Sequence, residues 1–271
     1  MTADNLNKVR GTVKALRPLI HSITNPISIN QCANTVLCTG ASPIMAEHPE
    51  EVAEITATAQ ALVLNLGNIT DVRMKSMTVS ARTAKENNIP FVLDAVGIAC
   101  SKLRRNFAQT LIEDNCPDVI KGNYSEIIAL YNSAYRASGV DADNALDEAS
   151  VCDAAVKLAR RYDTVILASG KTDIITDGQR LATIKNGTPQ LAQVTGTGCM
   201  LGSLCGCYLP ACSGIEAAVC ACAHLGICGE LSKTDKGSGS FMVGLMDKLS
   251  VLSDKDFEKY LKLEVMEIEA V

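Results

Sequence analysis

Ala61-Leu62-Val63-Leu64-Asn65-Leu66-Gly67 opens the stretch from which the fold is read. Four apolar residues run unbroken to a turn that contains Gly67, Asp71 to Asn87 then carries a helical pattern, and Phe91-Val92-Leu93-Asp94 is a second short apolar run. A strand, a helix and a second strand in this order form a β-α-β unit, the building block of a mostly parallel sheet. The same rhythm recurs outward in both directions. Leu19 to Ile23, Asp118 to Ile120 and Thr164 to Ala168 are further buried-strand candidates, and Asp147 to Tyr162 reads as a helix with Ala154, Ala155, Leu158 and Ala159 on its apolar side. Ile174 to Ile184 reads as a hairpin turning at Asp177-Gly178, an antiparallel edge on the sheet, and a helical C-terminal third follows. With no internal repeat, low-complexity tract or linker, residues 1–271 are expected to form one domain.

Composition narrows the function classes. Apolar residues make up 47% of the 271, which suits a globular core. A net charge of -5 with no basic cluster argues against a nucleic-acid partner. The first residues lack the basic start and apolar run of a secretory signal, so a cytoplasmic protein with reduced thiols is expected despite twelve cysteines. Seven cysteines crowd residues 199 to 228, in pairs such as Cys205/Cys207 and Cys220/Cys222. Residues two apart on a helix diverge by about 200°, so such pairs cannot chelate one ion, and core packing is the expected role. Pro210 and Glu216 interrupt this stretch, which therefore reads as buried helices and not as a membrane span.

In open α/β sheets ligands bind beyond the carboxyl ends of the strands. That rule selects Thr24-Asn25, Asn65-Leu66-Gly67, Asp94 to Gly97, Lys121-Gly122-Asn123 and Ser169-Gly170-Lys171. The segment Val194-Thr195-Gly196-Thr197-Gly198-Cys199-Met200-Leu201 adds two glycines ahead of an apolar helix. Such a turn can aim several backbone N–H groups at one point, where the helix dipole also favours negative charge, as in a transferring phosphoryl group. Cys199 lies in the first turn of that helix, where a thiolate is favoured and could act as a base. Asp94 should emerge at the active edge, where carboxylates commonly hold Mg²⁺. Asn123 and Glu126 could face the same site, and their spacing is equally that of a helix capping box. The chain has no G-x-x-x-x-G-K-[ST] phosphate loop and no protein-kinase motif set. His21, His48 and His224 have no ligand spacing, and His224 reads as a core residue.

Taken together, these segments resemble the hydroxyethylthiazole kinase family of the ribokinase-like superfamily. The likeness spans nearly the whole chain and is carried by Ile23-Thr24-Asn25, Ala33-Asn34, Gly40 to Ala46, Pro49 to Val52, Asn65-Leu66-Gly67, Leu93-Asp94, Lys121 to Ile127 and Val194 to Cys199. It implies a ribokinase-like three-layer αβα fold, with a mostly parallel central sheet and an antiparallel edge. It also implies a homotrimer, ATP with Mg²⁺, and 4-methyl-5-(2-hydroxyethyl)thiazole as the phosphoryl acceptor in thiamine salvage. Met45, Asn25, Gly67 and Gly196 would then bind the thiazole, while Lys121, Ser169 and Asn123 would lie at the nucleotide. Asp94 and Glu126 would hold the metal, and Cys199, with Gly196, Thr197 and Gly198, would be catalytic. The chain departs from the family pattern at Lys121, usually Arg, at Ser169-Gly170-Lys171, usually Thr-Gly-Glu, and at Ala95 and Pro26. Hydroxymethylpyrimidine kinase and a nucleotide-dependent hydrate dehydratase of the same superfamily are the rival readings.

Overall fold

The computed structural model describes residues 1–137 and 146–268. Its strands are β1 (Leu19–Ile23), β2 (Ser42–Ile44), β3 (Ala61–Asn65), β4 (Phe91–Asp94) and β5 (Val119–Asn123). They are followed by β6 (Val165–Ser169), β7 (Asp173–Thr176), β8 (Arg180–Ile184) and β9 (Leu263–Glu267). The first helices are α1 (Ala3–Leu16), α2 (Ile29–Cys38), α3 (Val52–Thr58), α4 (Asp71–Glu86), α5 (Lys102–Asn115) and α6 (Tyr124–Tyr131). The rest are α7 (Glu148–Tyr162), α8 (Thr197–Tyr208), α9 (Gly214–Leu231), α10 (Ser238–Val251) and α11 (Asp254–Tyr260).

All nine strands join one sheet in the order β2-β1-β3-β4-β5-β6-β7-β8-β9. Pairing is parallel from β2 to β6 and antiparallel from β6 to β9. The pleat explains why the central strands are apolar throughout. Leu62 and Leu64 enter a core shared with α4 to α7, whereas Val63 between them enters a second core with α1, α2 and α8 to α11. Each strand alternates between two buried faces, so a run with no polar residue is needed. The result is the expected three-layer α/β fold.

Several expectations are corrected. β2 and β9 were not anticipated, and the C-terminal third is not wholly helical because β9 closes it. β2 has only three half-buried residues, one of them Pro43. β9 is mostly exposed and is held by its antiparallel ladder to β8, so neither strand carries a strong apolar signal. β5 also runs past Ile120, and Lys121, Gly122 and Asn123 pair with β6 as strand residues.

α8 and α9 are buried on almost every side. Such a helix needs apolar residues all round. α9 is long and apolar enough to cross a membrane by length and composition, yet 78% of it is covered by the rest of the fold. The clustered cysteines pack here as the sequence suggested, and burial pushes the thiols of Cys207 and Cys228 up to about 12. Gly206 brings α8 against the sheet, since a Cβ there would collide with the side chain of Val63. That contact lays the start of α8 along the sheet towards the carboxyl ends of the parallel strands.

Candidate active site

Gly196 caps α8 in the left-handed region, at φ 92°, which favours glycine. The N–H of Met200 donates to Gly196 O at 2.8 Å, while the helix start leaves the N–H groups of Thr197, Gly198 and Cys199 without intrahelical acceptors. Together with the helix dipole they form an anion-binding position. Thr197 does not add its hydroxyl to that position, because Oγ1 donates back to Leu191 O at 2.8 Å.

Cys199 is half-buried, and its Sγ accepts from Asn25 Nδ2 at 3.3 Å. The direction of this bond is determined by the backbone. Asn25 Oδ1 accepts the N–H groups of Ile27 and Ser28, both at 3.1 Å, so its nitrogen must face the sulfur. Asn25 Nδ2 also donates to Asn65 Oδ1 at 3.0 Å, and that oxygen accepts Gly67 N at 2.9 Å. Asn65 Nδ2 in turn donates to Asp94 Oδ2 at 2.7 Å, and Lys121 Nζ donates to Asp94 Oδ1 at 2.9 Å. One continuous path therefore links Lys121, Asp94, Asn65, Asn25 and Cys199. Its origin is the sheet register, since Asn65 pairs with Asp94 and Asp94 with Lys121 on three adjacent parallel strands.

The placement of Asp94 corrects the expectation that its carboxylate emerges at the sheet edge. It is fully buried and faces Lys121, itself only 5% exposed. Burial raises the pKa of Asp94, opposed by Lys121 and Asn65. For Lys121 the same burial acts downward, but Asp94, Glu126 and Cys199 outweigh it and the net shift is upward. We take the pair as ionised, because both charged groups are hydrogen-bonded at close range and Asn65 supports the carboxylate. Lys121 Nζ also lies 3.4 Å from where a Cβ on Gly198 would stand, so its charge sits directly behind the anion-binding turn.

Glu126 and Asn123 form the capping box that their spacing allowed. Glu126 Oε2 accepts Asn123 N at 2.7 Å, and Oε1 accepts Gly97 N from the neighbouring loop at 2.6 Å. Burial pushes this carboxyl up to about 7, against the pull of Lys121 and the two N–H donors. Each carboxylate oxygen of Asp94 and Glu126 already accepts one hydrogen bond and retains a second lone pair. Among the described residues no three His, Cys, Asp or Glu side chains gather as a metal cluster. Carboxylate oxygens of this kind are the donors a hydrated Mg²⁺ takes, and here they come from Asp94, which is fully buried, and from Glu126.

Ser169 ends β6, and its Oγ donates to Gly122 O at 3.3 Å. Met45 follows β2 and takes no part in the path to Cys199. Its loop is anchored by His21 Nε2 against Ala46 O at 2.9 Å, Ser76 Oγ to Glu47 O at 2.7 Å, and Arg73 Nε to Glu47 Oε2 at 2.8 Å. Two open clefts, of about 640 and 600 Å³, are lined by other residues and contain none of these positions. Sequence reasoning singled out the turn at Asn65 but assigned a role only to Gly67. The missed signal was an amide at the end of β3 in register with Asp94.

A model of the "Hydroxyethylthiazole kinase family" matches residues 11–255. "Hydroxyethylthiazole kinase 2" of Clostridium botulinum (strain Hall) is 45% identical over 268 residues, covering 94% of this chain and 98% of that protein. "Hydroxyethylthiazole kinase 1" of Methanosphaera stadtmanae is 38% identical, covering 98% and 99% respectively. The solved structure of a hydroxyethylthiazole kinase protein from Pyrococcus horikoshii superposes with a TM-score of 0.89 at 32% identity, over 98% of this chain and all of that one. An ADP complex of Bacillus subtilis pyridoxal kinase shares the fold at a TM-score of 0.61 and 18% identity, over 82% of this chain and 95% of that one. With a family match across most of its length and relatives well above 30% identity, this chain belongs to the hydroxyethylthiazole kinase family.

Proposed function

We propose that this protein transfers the γ-phosphoryl group of ATP to the primary alcohol of 4-methyl-5-(2-hydroxyethyl)thiazole. Family membership supports the substrate pair. The observation that carries the chemistry is the start of α8, where a cysteine and an anion-binding turn meet with a buried lysine behind them. Met45, Asn25, Gly67 and Gly196 bind the thiazole in this reading, and Lys121, Ser169 and Asn123 serve the nucleotide phosphates. Cys199 Sγ takes the proton of the alcohol as its oxygen attacks the γ-phosphorus. The bond to the β-phosphate oxygen breaks and ADP leaves. The N–H groups of Thr197, Gly198 and Cys199 stabilise the charge that develops on the transferring oxygens, reinforced by the field of Lys121. Asp94 and Glu126 would hold Mg²⁺, which when bound neutralises charge on the β- and γ-phosphates.

A coupled ADP-release assay across thiazole, pyrimidine and pyridoxal alcohols tests this function. Turnover should depend on the thiazole alcohol, and preferential use of a pyrimidine alcohol would transfer the reading to hydroxymethylpyrimidine kinase. The same reading makes the protein a cytoplasmic homotrimer, and the twelve unpaired thiols suit a reducing compartment. Ile27, Leu37 and Val243 are 62%, 56% and 63% exposed, in the turn before α2, on α2 and on its neighbour α10. These apolar side chains suit burial against another copy. Sedimentation at assay concentration should give a trimer, and a fully active monomer would remove this part.

A further inference from the structure

We propose that Arg104 is a phosphate-binding residue of the nucleotide site, supplying the guanidinium fork that position 121 lacks. The inference rests on the kinase reading above, and it starts from a contrast between two consecutive arginines in the first turn of α5. Arg105 is buried and structural. Its guanidinium donates to the carbonyl oxygens of Ile98, Ser133, Ala99 and Tyr135. Arg104 is half-buried, yet its guanidinium has no hydrogen bond or ion pair among the described residues. Five N–H donors in a rigid fork are left unused there.

The position of this fork points to its ligand. The Arg104 side chain lies against Gly97, with Cδ and Cζ each 3.2 Å from where a Cβ would stand, and its Nη1 would collide with that atom. Gly97 is at φ +79°, so both the backbone conformation and the space are ones a side chain would deny. The peptide N–H of this same Gly97 holds Glu126 Oε1, in the loop that follows β4 at its carboxyl end. The fork therefore packs on the loop that carries one wall of the nucleotide site. Glu126 makes no ion pair with it among the described residues, and its two carboxylate oxygens accept the backbone N–H groups of Gly97 and Asn123. A half-buried, uncompensated guanidinium at the carboxyl ends of parallel strands suits an anion with two or more oxygens on one face, as in the polyphosphate of a nucleoside di- or triphosphate. Lys121, a compact point charge already engaged by Asp94, offers no such fork.

The test is calorimetric binding to the full chain of ADP, inorganic tripolyphosphate and adenosine, with Arg104→Gln and Arg104→Lys compared with wild type. No acceptor alcohol is needed, so the result is independent of which alcohol the enzyme uses. Arg104→Gln should weaken ADP and tripolyphosphate about 10-fold or more and leave adenosine unchanged, the pattern of a lost charged hydrogen-bond pair. Arg104→Lys keeps the stem on Gly97 and the charge, and should lose less. If Arg104→Gln does not fold, the Lys variant still decides, because loss of the fork alone should weaken ADP measurably. Folded variants that bind ADP within twofold of wild type overturn the proposal while leaving the kinase reading intact. A wild-type protein that binds neither ADP nor tripolyphosphate overturns both.

Discussion

Replacing Lys121 by Met leaves the Asp94 carboxylate buried with Asn65 as its one remaining partner. The two charged side chains are 2.9 Å apart and 5% and 0% exposed, so solvent cannot take the lost partner's place. Removing one member of such a pair costs about 3–5 kcal/mol. At about 2–4 °C per kcal/mol for a chain of this size, Tm should fall by roughly 6–20 °C at pH 8. The loss should shrink at pH 5, because burial already raises the pKa of Asp94 and the carboxyl can escape its unpaired charge by protonating. The double variant Lys121→Met/Asp94→Asn has no buried charge and should recover most of the stability, while Lys121→Arg should stay near wild type. Scanning calorimetry of the four proteins at both pH values checks this, alongside ATP KM, which should rise in Lys121→Met and little in Lys121→Arg. A Lys121→Met protein within 2 °C of wild type at both pH values, on the scale of about 1 kcal/mol or less, would refute an ionised, tightly coupled pair.

Cys199→Ser should fold but lose roughly 10²-fold or more in kcat, whereas Cys199→Asp, with a carboxylate at the helix start, should keep substantial activity. Equal activity in the two folded variants would remove Cys199 as the base and leave positioning by α8 to carry catalysis. Glu126 has a folded pKa near 7 against an ordinary 4.5, so its protonated form fits the fold better. The stability it contributes is full below its ordinary value and is lost as pH rises through about 7, by up to about 3 kcal/mol. Urea unfolding between pH 5 and 8 should show this slope in wild type and a flatter one in Glu126→Gln. Identical slopes would mean that Glu126 does not titrate in that window.

Much of the layout was legible because both faces of the central strands are buried. Runs such as Leu62-Val63-Leu64 and Phe91-Val92-Leu93 have to be apolar throughout, so they stand out against the polar turns that follow them. The hairpin at Asp177-Gly178 was legible for a local reason, since Gly178 takes a positive φ of 85° in the turn. β2 and β9 escaped because edge strands are held by ladder hydrogen bonds to one neighbour and need no apolar pattern. The glycine turn at Gly196 and Cys199 in the first turn of α8 also lay on the surface of the sequence, because backbone geometry at a helix start is set by adjacent residues.

The sequence by itself determined the alternation of strands and helices, the α/β class, the residues at the carboxyl ends of the strands and the glycine-bearing start of α8, all of which depend on neighbours close along the chain. Only the tertiary structure decided what those residues face. The Asp94 carboxylate was expected to emerge at the sheet edge and instead is buried against Lys121, and Asn65 joins them to Cys199 through Asn25. That path depends on the register of β3, β4 and β5 and on the distance at which α8 crosses them, and Gly206 sets that distance against Val63. Register and helix approach are fixed by contacts between residues far apart in the chain, so no local pattern records them.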